Sequence, residues 1–153
     1  MRLYLLRHGE AEALRTNDAR RALTEHGRDE VRASAALLAE RPLQAILASP
    51  YVRTQQTAEL VATHLGYRGV IESADWLTPD SDLRDALARL NERGEDELLL
   101  VTHQPLVGAL GGLLVHGHRQ QPLPMSTASL AVLDGDMALA GGMQLVSLTH
   151  PRV

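Results

Sequence analysis

Short apolar runs alternate with longer amphipathic stretches along the whole chain. Short continuous apolar runs are typical of buried strands, whereas apolar positions every three or four residues are typical of helices packed on one side. Their alternation predicts an α/β domain with a largely parallel sheet. The predicted strands are Arg2 to Leu6, Leu43 to Ala48, Gly69 to Ile71, Glu97 to Thr102, Ser129 to Leu133 and Met143 to Leu148.

Four helices are predicted between these strands. They span Glu25 to Glu40, Tyr51 to Leu65, Ser81 to Glu92 and Leu106 to His116. In the first helix, the apolar positions that recur at helical spacing are Val31, Ala35, Leu38 and Ala39. Thr24 stands where this helix needs an N-cap.

The tail of the chain has a different pattern. The segment "LAVLDGDMALAGGMQLVSL" holds two β-rich runs around Asp134-Gly135-Asp136 and Gly141-Gly142. This pattern predicts a hairpin or meander that closes the sheet, with one antiparallel strand at an edge. Because no internal repeat or linker is visible, we expect one domain over residues 1–153.

The composition indicates a globular protein and argues against some classes of binding partner. Hydrophobic residues make up 44% of the 153 residues, and a chain without Phe must build an aliphatic core. The net charge of -4 and the scattered arginines argue against nucleic-acid binding. The longest apolar stretch, from Leu98 to Val115, is interrupted by His103, Gln104 and Pro105, which argues against a membrane span. We therefore expect a cytoplasmic protein, most simply a monomer.

Two reactive residue types, Cys and Lys, are absent, and each absence removes a class of chemistry. Without Cys, thiolate metal sites and cysteine nucleophiles are excluded. All fifteen basic residues are Arg, so Schiff-base chemistry and the lysine-dependent phosphate loop are excluded as well. His, Arg, Asp, Glu, Ser, Thr and Tyr remain as the reactive side chains.

Polar side chains follow three of the predicted strands at the point where each strand ends. Arg7 and His8 follow the first, Ser49, Pro50 and Arg53 follow the second, and His103, Gln104 and Pro105 follow the fourth. In open α/β sheets the ligand crevice lies outside the carboxyl ends of the strands. We therefore expect these clusters to converge.

The segment "SPYVRTQQT" indicates the charge of the ligand. Ser49 is expected as N-cap and Pro50 as first helical residue, which places Arg53 in the first turn of the helix. A cation is disfavoured near the positive end of the helix dipole unless an anion binds there. His8 supplies a nucleophile or acid/base beside the planar fork of Arg7, and Gly9 would allow the backbone to approach a ligand. The predicted pocket for a tetrahedral dianion contains Arg7, His8, Arg53 and His103.

Three segments in this order resemble the histidine phosphatase superfamily, which is phosphoglycerate mutase-like in fold. They are "LRHGE", "SPYVRTQQTAE" and "LLLVTHQPLVG". The short chain, "RALTEHG" and "WLTPD" resemble in particular the short bacterial phosphohistidine phosphatases of the SixA type. The resemblance implies a three-layer α/β/α domain, with about six strands and with helices on both faces of the sheet.

The resemblance also implies a covalent mechanism without cofactor or metal. His8 would attack phosphorus and carry the phosphoryl group, which Arg7, Arg53 and His103 would hold until water hydrolyses it. We expect the arginines to lower the pKa of His8 and so preserve its lone pair. Arg21, in "RRALT", matches an arginine of the short phosphatases at the pocket entrance, although Arg20 is an alternative.

The general acid of larger superfamily members has no assured counterpart in this chain. Asp75, Asp80 and Asp82 are the candidates around "ADWLTPDSD". The leading hypothesis is therefore a phosphatase that acts on phosphohistidine of a partner protein. The alternatives are a phosphatase for small phosphate esters and a phosphate-binding module without turnover.

Overall fold

Six strands and four α-helices alternate in the computed structural model, which describes residues 1–153. The strands are β1 (Arg2–Arg7), β2 (Ala45–Ala48), β3 (Ile71–Ser73), β4 (Glu97–Thr102), β5 (Leu130–Asp134) and β6 (Gln144–Thr149). The helices are α1 (Glu25–Ala36), α2 (Val52–Leu65), α3 (Leu83–Asn91) and α4 (Leu106–His116). Two short 3-10 turns, at Asp18–Arg20 and Asp75–Leu77, were not predicted from the sequence. No helix is long and apolar enough to cross a membrane.

The strands form one sheet in the order β3-β2-β4-β1-β5-β6. Strands β1 to β4 are parallel, β5 pairs antiparallel with β1, and β6 pairs antiparallel with β5. The predicted hairpin of the tail is therefore confirmed. The antiparallel strand is β5, which lies one position inside the edge, because β6 folds back beyond it.

Alternating side chains of the central strands face two separate apolar cores. Leu3 and Leu5 of β1 pack with α3 and α4 on one face. Tyr4 and Leu6 of the same strand pack with α1 and α2 on the other. Near-continuous apolar runs are what a parallel sheet covered on both faces requires. The three-layer α/β/α architecture follows from this pattern.

Helix α1 ends four residues earlier than predicted. Leu37 and Leu38 donate to carbonyls three residues back, which tightens the chain, and Glu40 has a positive φ of 66°. The next proline, Pro42, disfavours helical backbone in the residue before it. Leu38 is buried as predicted, whereas Ala39 is exposed, because the chain no longer follows the helical repeat after Ala36.

Strand β3 lies two residues later than predicted. Pairing with β2 sets Ile46 opposite Ile71 and Ala48 opposite Ser73. Since β3 is an edge strand with exposed residues, its apolar pattern carries little information about its register.

Candidate active site

The three polar clusters meet because their strands are neighbours in the sheet. Strands β2, β4 and β1 lie side by side and run parallel, so their carboxyl ends share one edge. The imidazole rings of His8 and His103 are in edge contact, with centroids 5.2 Å apart. The ring of Tyr51 lies 5.0 Å from that of His103, and the Arg53 guanidinium lies 5.0 Å from the Tyr51 ring.

His8 is held with one ring nitrogen committed to the backbone. Its side chain is buried, with 7% of the residue exposed. Nδ1 lies 2.7 Å from the carbonyl oxygen of Gly9. A carbonyl can only accept, so Nδ1 carries the proton and donates it. The lone pair of the neutral ring is therefore on Nε2, which is the nitrogen available to a ligand.

The pKa of His8 is lowered to about 4. Burial is the main cause; the hydrogen bond to Gly9 opposes it, and the charges of Arg53, Arg7 and Arg21 lower the pKa further. The expected lowering is confirmed, although burial contributes more than the arginines. At neutral pH, His8 is therefore a neutral imidazole, with its proton on Nδ1.

Gly9 serves helix packing rather than ligand approach. A Cβ on Gly9 would lie 2.5 Å from the carbonyl oxygen of Gly27 and 2.9 Å from a methyl of Val31, both in α1. A Cβ on Gly27 would in turn overlap the backbone of Glu10. The expectation that Gly9 leaves room for a ligand was wrong: the pair of glycines lets α1 lie against the turn that carries His8.

The start of helix α2 differs from the prediction. Tyr51 is the N-cap residue and Val52 the first helical residue, so Ser49 is not the cap and Pro50 is not helical. The hydroxyl of Ser49 is used elsewhere, 2.8 Å from Nε2 of His103. Arg53 nevertheless lies in the first turn, as predicted.

Arg53 is 3% exposed and is held at the outer end of its guanidinium. Nη1 donates to the backbone oxygen of Asp18 at 2.7 Å, and Nη2 donates to its carboxylate at 3.2 Å. Asp18 thus provides part of the negative charge expected beside this cation. The inner nitrogen, Nε, is buried and has no partner.

Arg7 is held in a similar way. Its Nη1 donates to the backbone oxygen of Met125 at 3.0 Å, while Nε is buried without a partner. Nδ1 of His103 is also buried without a partner. These three nitrogens are the only buried side-chain polar atoms of the chain that lack a hydrogen bond. Buried polar groups are normally satisfied, so three orphaned nitrogens in one cluster indicate a site for an acceptor-rich ligand.

His103 is 1% exposed, and its pKa is lowered to about 2. Burial is the main cause, followed by the charges of His8 and Arg53. The pocket therefore contains two neutral imidazoles close to the charges of Arg7 and Arg53. An anion at this place would give Nε of Arg7 and Nε of Arg53 the acceptor that they lack.

Arg21 is connected to the pocket by Asp18, which accepts hydrogen bonds from both Arg21 and Arg53. The sequence analysis did not identify Asp18. Nε of Arg21 donates to Asp18 at 2.8 Å and its Nη1 to the backbone oxygen of Glu12 at 2.9 Å. Burial alone would raise the pKa of Asp18, but hydrogen bonds from Arg21 and Arg53 lower it below its usual value. Arg20 is exposed in the same 3-10 turn. The available signal was the i, i+3 spacing of Asp18 and Arg21, which is common on any surface.

The three candidate acids around "ADWLTPDSD" do not hydrogen-bond to the pocket residues. Asp82 caps α3 by accepting from the amide of Asp85 at 3.0 Å, and Asp80 accepts from the hydroxyl of Thr78 at 3.0 Å. Asp75 is exposed at the start of a 3-10 turn. Asp80 and Asp82 line a groove of about 410 Å³ that includes Pro105, two residues after His103.

The fold and pocket are those of a phosphate-handling α/β domain, and comparison with known proteins gives its class. A model of the histidine phosphatase superfamily (branch 1) matches residues 3–76. The chain belongs to this superfamily.

Individual relatives match almost the whole chain. It is 32% identical over 139 residues to phosphohistidine phosphatase SixA of Escherichia coli (strain K12), covering 88% of this chain and 86% of the relative. It is also 32% identical to the SixA homolog of Haemophilus influenzae, covering 87% of each. A solved structure of the protein histidine phosphatase SixA complexed with tungstate superposes with a TM-score of 0.88 at 30% identity, covering 99% of this chain and 97% of that one.

Proposed function

We propose that this protein is a metal-independent phosphatase that removes the phosphoryl group from phosphohistidine on a partner protein. The proposal assigns the nucleophile to Nε2 of His8 and the holding of phosphoryl oxygens to Arg7, Arg53 and His103, with Arg21 at the entrance. The observation that carries it is the set of three buried nitrogens without partners beside that lone pair.

The anchoring of the two arginines supports side-on phosphate binding. Each guanidinium is fixed at its outer end by protein oxygens, so the edge that contains the free Nε remains for the ligand. Two N–H groups on one edge match two phosphoryl oxygens. Donors placed before the ligand arrives stabilise charge in the transition state without reorganisation.

In the first step, Nε2 of His8 attacks phosphorus, the new N–P bond forms, and the P–N bond of the substrate breaks. The departing imidazole takes a proton from solvent and leaves as a neutral ring. Positive charge develops on the His8 ring, and the carbonyl oxygen of Gly9, 2.7 Å from Nδ1, stabilises it.

In the second step, water attacks the phosphoryl group on His8 and the Nε2–P bond breaks. The products are inorganic phosphate and a proton, and the bonding electrons return to Nε2 as its lone pair. The low pKa of His8 favours this step, because the neutral imidazole is the stable form in the free pocket.

Three observations favour phosphohistidine as the substrate. The relatives matched over most of their length are phosphohistidine phosphatases by name. One solved relative binds tungstate, a tetrahedral oxyanion like phosphate. Finally, Asp75, Asp80 and Asp82 have no hydrogen bond to the pocket. Cleavage of a P–N bond needs less help from a positioned acid than the departure of an alkoxide does.

The proposal retains one domain over residues 1–153, a monomer and a cytoplasmic location.

The test compares substrates and traps the intermediate. We expect a phosphohistidine-bearing domain to be hydrolysed at least about a hundredfold faster than sugar phosphates, a difference close to 3 kcal/mol in barrier height. Mass spectrometry after quenching without acid should find the phosphoryl group on His8. Equal rates on sugar phosphates would favour the small-ester phosphatase. Binding without turnover would favour the phosphate-binding module, and phosphate on another residue would refute the assignment of His8.

A further inference from the structure

Ser49 is a buried residue of the pocket to which the proposed mechanism gives no role. It is fully buried at the end of β2, and its hydroxyl lies 2.8 Å from Nε2 of His103. Its backbone is fixed as well, because its carbonyl accepts from the side chains of Thr54 at 2.8 Å and Gln55 at 2.9 Å. The hydroxyl is therefore held at one place beside the imidazole.

The hydrogen bonds of this hydroxyl determine which way its proton points. The backbone amide of Tyr51 donates to Oγ of Ser49 at 3.4 Å, and the only other partner of Oγ is His103. An amide has no lone pair to accept with, so the hydroxyl proton can be satisfied only by a ring nitrogen that accepts. In a neutral imidazole, the other nitrogen, Nδ1, then carries the ring proton.

The opposite tautomer would leave two groups unsatisfied. With a proton on Nε2, the Ser49 hydroxyl would accept two hydrogen bonds and its own buried proton would have no acceptor. Nδ1 of His103 would present a lone pair in a cluster where the other orphaned atoms, Nε of Arg7 and Nε of Arg53, are donors. An anion would then meet a repulsive lone pair in place of a third donor.

We propose that Ser49 is a positioning residue that donates its proton to Nε2 of His103 and thereby keeps the imidazole proton on Nδ1. His103 then offers a hydrogen bond to an anion while it stays neutral. The consequence for catalysis rests on the proposed phosphatase function, whereas the tautomer does not. Removal of the hydroxyl should weaken the stabilisation of the phosphoryl group rather than remove the nucleophile.

The direct test is nitrogen-15 NMR of the imidazoles in the wild-type protein near neutral pH. Loss of one set of signals in His103→Asn assigns His103. We expect a protonated Nδ1 and an unprotonated Nε2. A proton on Nε2, or on both nitrogens, overturns the proposal whether or not the protein is a phosphatase.

Variants at Ser49 test the functional consequence. Ser49→Ala should admit the Nε2-protonated tautomer and lower kcat/KM for a phosphohistidine-bearing domain by about tenfold, the value of one hydrogen bond to the reacting group. Ser49→Thr, which keeps the hydroxyl, should restore the tautomer and most of the rate.

Ser34→Ala is the matched control, because Ser34 is also buried and its hydroxyl donates to the backbone oxygen of Ala128 at 2.5 Å. It should leave the tautomer of His103 unchanged.

If Ser49→Ala leaves the tautomer and the rate unchanged, Ser49 does not position His103. If the tautomer changes as expected but no substrate is turned over even by the wild type, the proposed function fails and the proposal for Ser49 stands.

Discussion

At the scale of single residues, the pocket uses burial to keep its histidines neutral. His8 and His103 lie among arginines in a region with little solvent, and both conditions disfavour an imidazolium. The neutral form is required for the proposed nucleophile and costs stability in acid. The unfolded chain binds protons on these rings at a pH where the folded protein does not.

This cost predicts a pH dependence of stability. The pKa of His8 falls from an ordinary value of about 6.5 in the unfolded chain to about 4 in the folded protein. As pH falls from 7 to 5, the unfolded state gains the proton first, and His8 alone lowers the free energy of unfolding by about 2 kcal/mol. Urea unfolding at both pH values should show this loss in the wild type and a smaller loss in His8→Asn. Equal losses in both proteins would contradict the lowered pKa.

At the scale of secondary-structure elements, the turn that carries His8 depends on close contact with α1. Gly9 lies two residues after the end of β1, and its spatial neighbour Gly27 lies in the first turn of α1. Thr24 caps the helix by accepting from the amide of Gly27 at 2.9 Å, as predicted. The helix start and the His8 turn are thus packed backbone against backbone.

We expect Gly27→Ala to be strongly destabilising. Its Cβ would overlap the backbone of Glu10, which cannot move aside as a flexible side chain could, and overpacking typically costs about 1–3 kcal/mol. Gly94→Ala is the matched control, since a Cβ there meets nothing within 4 Å. Chemical denaturation measures both variants. Equal stability of the two would show that the contact between α1 and the turn can relax.

A second prediction at this scale concerns Arg53 in the first turn of α2. Arg53→Lys replaces a planar fork, anchored on Asp18, by a single point charge. Activity should fall by about a hundredfold or more, as for the loss of one preorganised donor. Inorganic phosphate should raise the Tm of the wild type more than that of the variant.

Arg32→Lys, on the exposed face of α1 where the arginine pairs only with Asp29, is the control and should keep both properties. Normal turnover in Arg53→Lys would place the anion site elsewhere.

At the scale of the whole molecule, the order of strands brings the site together. Placing β4 between β1 and β2 sets residues about 50 positions apart along the chain on one edge of the sheet. The groove that Asp80 and Asp82 line with Arg119 also includes Pro105, which follows β4. These carboxylates have no hydrogen bond to the pocket residues.

This placement predicts that single Asn replacements at Asp75, Asp80 and Asp82 leave most of the activity on phosphohistidine intact. Asp82→Asn should also keep its stability, since Asn caps a helix as well as Asp does. Initial rates of the three variants measure the effect, with His8→Asn as the inactive reference. Abolition of turnover by one of the three would identify a true general acid and favour the small-ester phosphatase.

The sequence by itself determined the order of elements, the two apolar faces and the residues that meet at the sheet edge. Strand β4 and helix α4 have the predicted bounds, because both are buried and their apolar patterns are unambiguous. Arg7, His8, Arg53 and His103 could be singled out because each stands at the end of a strand, directly after one or in the first turn of the following helix. Such local signals need no knowledge of distant contacts.

The tertiary structure decided what depends on contacts between distant segments. Asp18 holds Arg53 across 35 residues, and Ser49 meets His103 across 54, so no local pattern marks either pair. The start of α2 shifted for the same reason. A serine before a proline is locally a good cap, but the hydroxyl of Ser49 forms its hydrogen bond with an imidazole from another strand. The packing of β4 against β2 therefore decided the use of this side chain, which local propensity could not foresee.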